Sequence, residues 1–566
     1  MPRRAGLLSP RIRSHPYHRA QPGTVTVFPG WMSPTGLPSA WDWRGREVAS
    51  SGSTSASISE AVSYLRQNWN GGLIQLCEGD YEVSGDIDID ADCVTLAGVG
   101  HSTVIKNTAE PTNGIVHVNG AKNVTVRDFK VVGATGVDVS IPILIRSPSS
   151  GTQENVCLRN LHVLQEVQNG SGIRLANGGA NLERLDFRDL LVEYTAADAE
   201  WDDPGSGGQG DNRSIGIGLS VANTTSRSFR MVNCRIEGGF LNAFNSNSGS
   251  SGRWEHSEIT GCRFRGAVRR GARFYHFGES RFTDNTFEDN GLGASSDNGG
   301  SNQETHIIGN HFVRNDKCGF FFEEFENGLI ASNVIDQNGI GIWLSAGRFV
   351  SISGNTIVRN TEEGIKPDKN HSITAGLGDA YVPANVNSIQ SISITGNSIG
   401  RNEKDGVKIA GIRKQTIISG NTITQNGTSA ATAATSGYAD LLITEDGGGT
   451  ANNSVGVVGN SFGNVSGDSP NNGRSQYGVR VTSGDVGRIR VIGNIFDDLE
   501  DPLDIAAGNK LITANQFVSC GDPTISGNWD WHHNMVTAGV MAGGTFDGQM
   551  RIEAGTYDFN GVDVVV

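Results

Sequence analysis

The stretch SISGNTIVRN, residues 351–360, decides how this chain is read, because it returns as SITGNSIGRN at 393–402 and as IISGNTITQN at 417–426. Each copy alternates apolar and polar residues, breaks at a Gly-Asn step and resumes. Alternation of period two marks a half-buried strand, and Gly and Asn tolerate the left-handed backbone angles of a corner. Taking the Asn or its substitute as the mark gives Cys234, Cys262, Asn285, Asn310, Asn333, Asn355, Asn397, Asn421, Asn460, Asn494 and Asn515. The base period is 21 to 25 residues, with longer insertions after Asn355, Asn421 and Asn460. Upstream, VTVRDFKVV, VCLRNLHVL and LDFRDLLVE supply earlier turns with variant marks at Asp128, Asn160 and Asp189.

Every unit carries a second apolar motif, seen in SGIRLA, CGFFFE, GIGIWLS, EGIKP, DGVKIA and YGVRVT. A unit therefore holds about three short strands, none able to bury a face alone, and stacking is the way out. The expected fold is all-β, a right-handed parallel β-helix in which each strand pairs with its equivalent in the next coil and the Asn side chains hydrogen-bond along the axis. An ordinary sandwich would show hairpin alternation instead of this beat. The expected layout is an extended Pro- and Arg-rich arm over 1–41, an N-terminal cap with the first coils over 42–110, the β-helix over 111–522, and a small C-terminal β tail for capping or oligomerisation over 523–566.

SISEAVSYLRQNW (57–69) places Ile58, Ala61, Val62, Leu65 and Trp69 at helical spacing, and Ser57 with Glu60 reads as a capping box, so a helix is expected to close one end. The segment that follows, GGLIQLCEGDYEV and onward to HSTVIKN, resembles the pectate-lyase-like superfamily at Gly79 and Tyr81, at Gly98 and Gly100, and at Ser102 to Ile105. The resemblance covers roughly residues 45–520. It implies the fold and says little about activity, because such folds host many functions. IEAGTYDFNGVDVVV (552–566) repeats the Gly and Tyr spacing at Gly555 and Tyr557, which reads either as a closing segment or as chance likeness of two strand-rich stretches.

The 566 residues carry a net charge of −15. Residues 1–41 hold five Arg and no acid, leaving 40 bases against 60 acids in the remainder, and only 10 of the 45 bases are Lys. So acidic a chain is not a nucleic-acid binder through a basic surface, and its Lys-poor balance points to a high-salt source. No apolar run is long enough to span a membrane. The N-terminal MPRRAGLLSPRIRS has charge but no apolar core, so no export signal is expected. The seven Cys show no CxxC or His-Cys spacing, which disfavours structural zinc; Cys234 and Cys262 read as small buried fillers.

The resemblance implies that ligands lie across the sheet of G-I-x-L strands, whose middle residue points outward. Coil by coil that residue is Arg174, Gly218, an ambiguous position in GARFYHFG, then Phe321, Trp343, Lys366, Lys408, Leu442, Arg480 and Asp504. Aromatic faces stack on pyranose rings and lysines meet uronate or sulfate, so Phe321, Trp343 and Lys408, with Arg174 and Arg480, are the expected substrate-binding residues. A merely solvated sheet face is the plainer alternative, but it leaves two aromatics exposed without purpose. Glu323 and Asp368, about 9–10 Å apart if separated by two coils, suit an inverting hydrolase. Lys366 or Lys408 suits the base of a lyase, with acids such as Asp368 holding Ca²⁺. The catalytic candidates are therefore Glu323, Asp368 and Lys366, with no dedicated metal site and Ca²⁺ as the one cofactor considered.

No lyase or polygalacturonase signature of the superfamily is present, so none of its catalytic residues carries over. Asp202, Asp203 and Asp211 form an acidic loop that fails the EF-hand spacing. Arg263, Arg265, Arg269, Arg270, Arg273 and Arg281 concentrate charge that suits an anionic glycan, a neighbouring subunit, or acids of the same chain. Three functions compete: a virion tailspike, fibre or turret that binds host-surface glycan as a homotrimer, with its arm docked to other virion proteins; a secreted polysaccharide lyase or glycoside hydrolase; and a structural surface protein. The absent export signal favours the first, with an archaeal virus of a halophilic host as the specific expectation.

Overall fold

The computed structural model describes the chain between Gly23 and Val565 apart from a set of segments, the longest being 30–38, 134–140, 196–213, 368–389, 429–436, 445–453, 465–474 and 537–555. The chain divides into two compact units, Met1–Ser280 and Arg281–Val566. Within each, strands pair in parallel and in register with the equivalent strand one coil away. In the first unit Val124–Gly133 lies against Thr152–Gln165, which lies against Asn181–Arg188. In the second, the three copies of the opening motif stack as read: Ser351 faces Ser393, which faces Ile417, and Thr356 faces Ser398, which faces Thr422.

The corner works differently from the sequence reading in one respect. The residue before each Asn adopts the left-handed backbone, Gly354 at φ 63° and Gly396 at φ 64°, while the Asn itself points inward and is fully buried. Each Asn Nδ2 donates to Oδ1 of the next Asn, at 2.9–3.0 Å from Asn285 through Asn310, Asn333, Asn355, Asn397, Asn421, Asn460, Asn494 and Asn515 to Asn534. A second ladder, unforeseen from the sequence, runs five residues later in each coil through Asn290, Asn315, Asn338, Asn360, Asn402 and Asn426. It ends on Asp440, whose Oδ1 accepts from Asn426 Nδ2 at 2.9 Å. Each such bond contributes about 1 kcal/mol net, but an orphaned partner costs more.

In the first unit the inward row is Phe129, Leu161, Leu190, Cys234 and Cys262, all buried. The upstream marks Asp128, Asn160 and Asp189 are off by one: they are the left-handed residues, at φ 62°, 48° and 53°, and they sit outside the core. Their backbone step matches the Gly of Gly-Asn, not the Asn, because a short polar side chain also tolerates that region. The cysteines substitute for Asn in kind as well as in place, since the Cys234 amide donates to Cys262 Sγ at 3.4 Å. All seven cysteines are free thiols. The cores are filled by aromatic rings: in one unit Phe229 meets Phe187 and Trp254 edge-on and stacks on Phe244, and in the other Phe462, Phe496 and Phe517 stack in succession.

Helix α1 (Thr54–Trp69) buries Ile58, Ala61, Val62 and Leu65 completely, while Trp69 is 40% exposed and stands outside the packed face. Its N-cap is Ser53, whose Oγ accepts from Ala56 N, one turn ahead of the expected box at Ser57. Ser57 is instead the fourth helical residue, and its hydroxyl bonds back to the Ser53 carbonyl. Part of the expected N-terminal arm is ordered: Thr24–Phe28 pairs in parallel with Gly72–Leu76 and antiparallel with Ser39–Asp42. Tyr81 explains this, because its buried hydroxyl donates to the Val27 carbonyl at 2.9 Å. Parallel pairing also continues past residue 522, with Trp529–His532 on Asn509–Thr513, while Thr556–Phe559 and Val562–Val565 form a separate antiparallel pair.

Candidate functional site

The Gly-Ile strands begin where backbone meets backbone. A Cβ on Gly364 would stand 2.6 Å from the Gly406 carbonyl and 2.8 Å from Asn402 Nδ2, so only Gly fits beside the second ladder. This fixes the register of the side chain two positions on, and the outward row aligns as read from the sequence. Phe321 faces Trp343, which faces Lys366; Ile365 faces Val407, which brings Lys408 next; Leu442, Arg480 and Asp504 follow. In the first unit Arg174 aligns with Gly218, then Asn245 and Arg273, which settles the coil left ambiguous at GARFYHFG.

The aromatics are not, however, presented to solvent. Phe321 is 3% exposed and Trp343 7%, their rings meeting edge-on with centroids 5.1 Å apart. Coils about 4.8 Å apart leave no room for two bulky rings to stand separately, so each covers the other. Lys366 is equally buried, with Nζ 5.4 Å from the centre of the Trp343 ring. Solvent is reached by Lys408, its side chain 29% exposed, by Arg480, at 28%, and by Asp504, at 25%, while Leu442 and, in the first unit, Arg174 are half-buried. Arg480 lies over Tyr477 at 4.3 Å and pairs with Asp504 at 3.2 Å.

A residue that sequence reasoning missed organises this group. Glu363 is 97% buried, with Oε2 3.4 Å from Lys366 Nζ and Oε1 3.5 Å from Lys408 Nζ. Burial pushes its carboxyl up, but Lys366 and Lys408 outweigh that and hold it below the ordinary value, so it is ionised. Next to it along the same row is Asp405, which accepts from the Ala439 amide at 2.8 Å and is pushed up to about 6 by burial. The signal was present: in this row Cys318 and Ile340 precede their glycines, and TEEG and KDG replace an apolar residue by an acid. Farther along, burial raises Asp440 to about 7 although Asn426, Ser475 and the Gly463 amide all donate to it.

The side chain of Glu323, on strand Cys318–Glu326, lies outside the described residues, as do Asp368 and the loop with Asp202, Asp203 and Asp211. The proposed hydrolase spacing and Ca²⁺ ligands therefore have no geometry here. Of the arginine cluster, Arg269, Arg270 and Arg273 are buried, so it is no continuous outward patch. Among the described residues one group, Asp86, Asp88 and His117, brings three possible metal ligands within 4.8 Å of one another; in it His117 Nδ1 is already 2.8 Å from Asp88 Oδ1.

The parallel pairings define the stack, and a family comparison supplies its hand: residues 217–377 match the family described as the right handed beta helix region. The chain is a right-handed parallel β-helix protein. No curated protein sequence matches it. Among solved structures it is similar to the A-module of mannuronan C-5 epimerase AlgE6 of Azotobacter vinelandii, at 14% identity over 82% of this chain and 95% of that one, TM-score 0.35. Tailspike protein 3 of bacteriophage CBA120 matches at 12% identity over 84% of this chain and 61% of that one, TM-score 0.37. DFA-IIIase of Arthrobacter chlorophenolicus A6 matches at 12% over 78% and 91%, TM-score 0.31. These likenesses are too distant to assign an activity to this β-helix.

Proposed function

We propose that this β-helix binds an acidic glycan along the row of its Gly-Ile-x-Leu strands, and that it does so as a virion surface protein. The observation that carries the reading is Glu363 held between two lysines. Lys408 shares the ionised Glu363 carboxylate with Lys366 and reaches solvent, so a uronate or sulfate finds an ammonium it can approach there, most favourably when the neighbouring Asp405 is protonated. Arg480, two coils beyond Lys408, extends the cationic line. Phe321 and Trp343 serve as a rigid floor under Lys366 rather than as an open stacking platform. The virion role, as a tailspike, fibre or turret, rests on the sequence: an acidic, Lys-poor body suited to a high-salt host, and a basic segment in residues 1–41 suited to docking on other virion proteins, with trimeric assembly.

The test is a glycan array carrying uronate-containing, sulfated and neutral oligosaccharides. Binding of acidic members that falls about tenfold or more in Lys408→Ala supports the proposal. Equal binding by wild type and Lys408→Ala removes it.

One observation favours a catalytic second reading, in an extracellular lyase or hydrolase. Glu363 and Asp405 are neighbours in one row whose surroundings push them apart, one below its ordinary range and the other up to about 6, which is how acid and base roles are separated. Release of unsaturated or reducing sugar ends, lost in Glu363→Gln and in Lys366→Ala, would establish it.

A further inference from the structure

The first unit contains a trough that none of the preceding roles uses. It has a volume of about 640 Å³, within the range of small-ligand sites. One wall is the row Asn123, Asn155, Arg184, Ser228 and His256, each at a left-handed backbone step, with φ between 53° and 59°. The floor is the row Thr125, Cys157, Asp186, Arg230 and Glu258, in unbroken parallel register. Five coils at about 4.8 Å give a length of roughly 19 Å along the axis.

The chemistry of the lining selects the ligand class. Every ionisable side chain among these residues already has a partner: Arg184 with Glu154, Asp186 with Arg188, Arg230 with Glu258 at 3.0 Å, and His256 with Glu279 at 3.2 Å. Amides join the set, since Asn155 Nδ2 donates to Asn123 Oδ1 at 2.7 Å and Arg184 Nε donates to Asn155 Oδ1 at 2.7 Å. An anion entering here would find each guanidinium already balanced by an acid and would meet the carboxylates of Asp186 and Glu258. A neutral, hydroxyl-rich chain would not, because guanidinium, carboxylate and amide groups each keep unused donors or acceptors after pairing. A groove whose polar groups are fixed in advance loses little side-chain freedom on binding. An extended β-linked saccharide advances by about one coil spacing per sugar, so successive residues would meet equivalent side chains.

We infer that this trough is a second saccharide site, specific for an uncharged, extended oligosaccharide and independent of the Lys366–Lys408 row. The experiment probes the full-length chain and its variants on an array of neutral and uronate-containing oligosaccharides, with thermal unfolding as the check on folding. Thr125→Trp fills one end of the trough from an outward strand position, and Arg230→Ala removes the guanidinium of its floor. The expected result is binding of a neutral oligosaccharide by wild type, weakened about tenfold or more in both variants and unchanged in Lys408→Ala. Should Arg230→Ala fail to fold, Thr125→Trp decides. Absence of binding to every neutral oligosaccharide, or neutral binding that survives in a folded Thr125→Trp, overturns the inference. Acidic binding lost only in Lys408→Ala concerns the other row, so the two sites are judged separately.

Discussion

Glu363 Oε1 lies 3.5 Å from Lys408 Nζ although 45 residues separate them in the chain, because the insertion between their coils leaves the strand register intact. With Lys366 on its other oxygen, this carboxylate balances two cations, one of them deep in the protein. Glu363→Gln strands a buried ammonium, which costs about 3 kcal/mol or more. A matching fall in urea midpoint, absent in the double variant Glu363→Gln/Lys366→Met, would confirm that the loss is the uncompensated charge and not the shape.

For the acidic-glycan binding proposed above, Asp405 is expected to set a pH dependence. Burial pushes its carboxyl up to about 6, so it gains a proton as pH falls from 7 to 5. One negative charge near Lys408 disappears, and affinity for an acidic glycan is expected to rise over that interval. In Asp405→Asn the profile should be flat; a slope that persists there would assign the effect to the ligand.

Asp440 makes stability depend on pH with a defined sign. Burial pushes its carboxyl up to about 7, well above the ordinary range of an aspartate, so the fold binds the proton more tightly than the unfolded chain does. The stabilisation is complete below about pH 4 and is lost as pH rises through 7, an effect on the order of a few kcal/mol. Asp440→Asn continues the second ladder without charge and should reduce the fall in unfolding temperature between pH 6 and pH 8, leaving the part that Asp405 contributes.

Within the first ladder, Asn355→Ala leaves the Asn333 amide and the Ile330 carbonyl without their side-chain partners in the core. A loss of about 2–4 kcal/mol is expected. Asn534, half-buried and last in the ladder, should cost less on the same change, and comparing the two urea midpoints separates a true ladder from independent turns.

Thiol reactivity reads the burial directly. Cys93 is exposed, whereas Cys234, Cys262 and Cys318 are buried, and burial pushes the Cys318 thiol far up and Cys77 up to about 12. A thiol reagent at pH 8 should label Cys93 in the native protein and Cys234, Cys262 and Cys318 only on unfolding.

The coil, its period and the outward row were legible because stacking forces equivalent residues into one line, so a repeat in sequence is a row in space. Three things were not. Period-two alternation tells outward from inward but is silent on what covers an outward side chain, and so Phe321 and Trp343 read as exposed. Counting from a single mark also hid the second ladder, although Asn follows Asn at a spacing of five in NTIVRN, NSIGRN and NTITQN. Glu363 was visible only as an acid at an apolar register position, a signal that appears once the coils are aligned on the glycines.

The paired asparagine ladders carry one last consequence. Each Asn needs an acceptor ahead and a carbonyl behind, so excising a complete repeat such as residues 333–354 leaves every contact replaceable by its neighbour, whereas removing half as many residues leaves none. Length in this protein is therefore quantised: a gain or loss of whole turns is the change that both ladders can absorb.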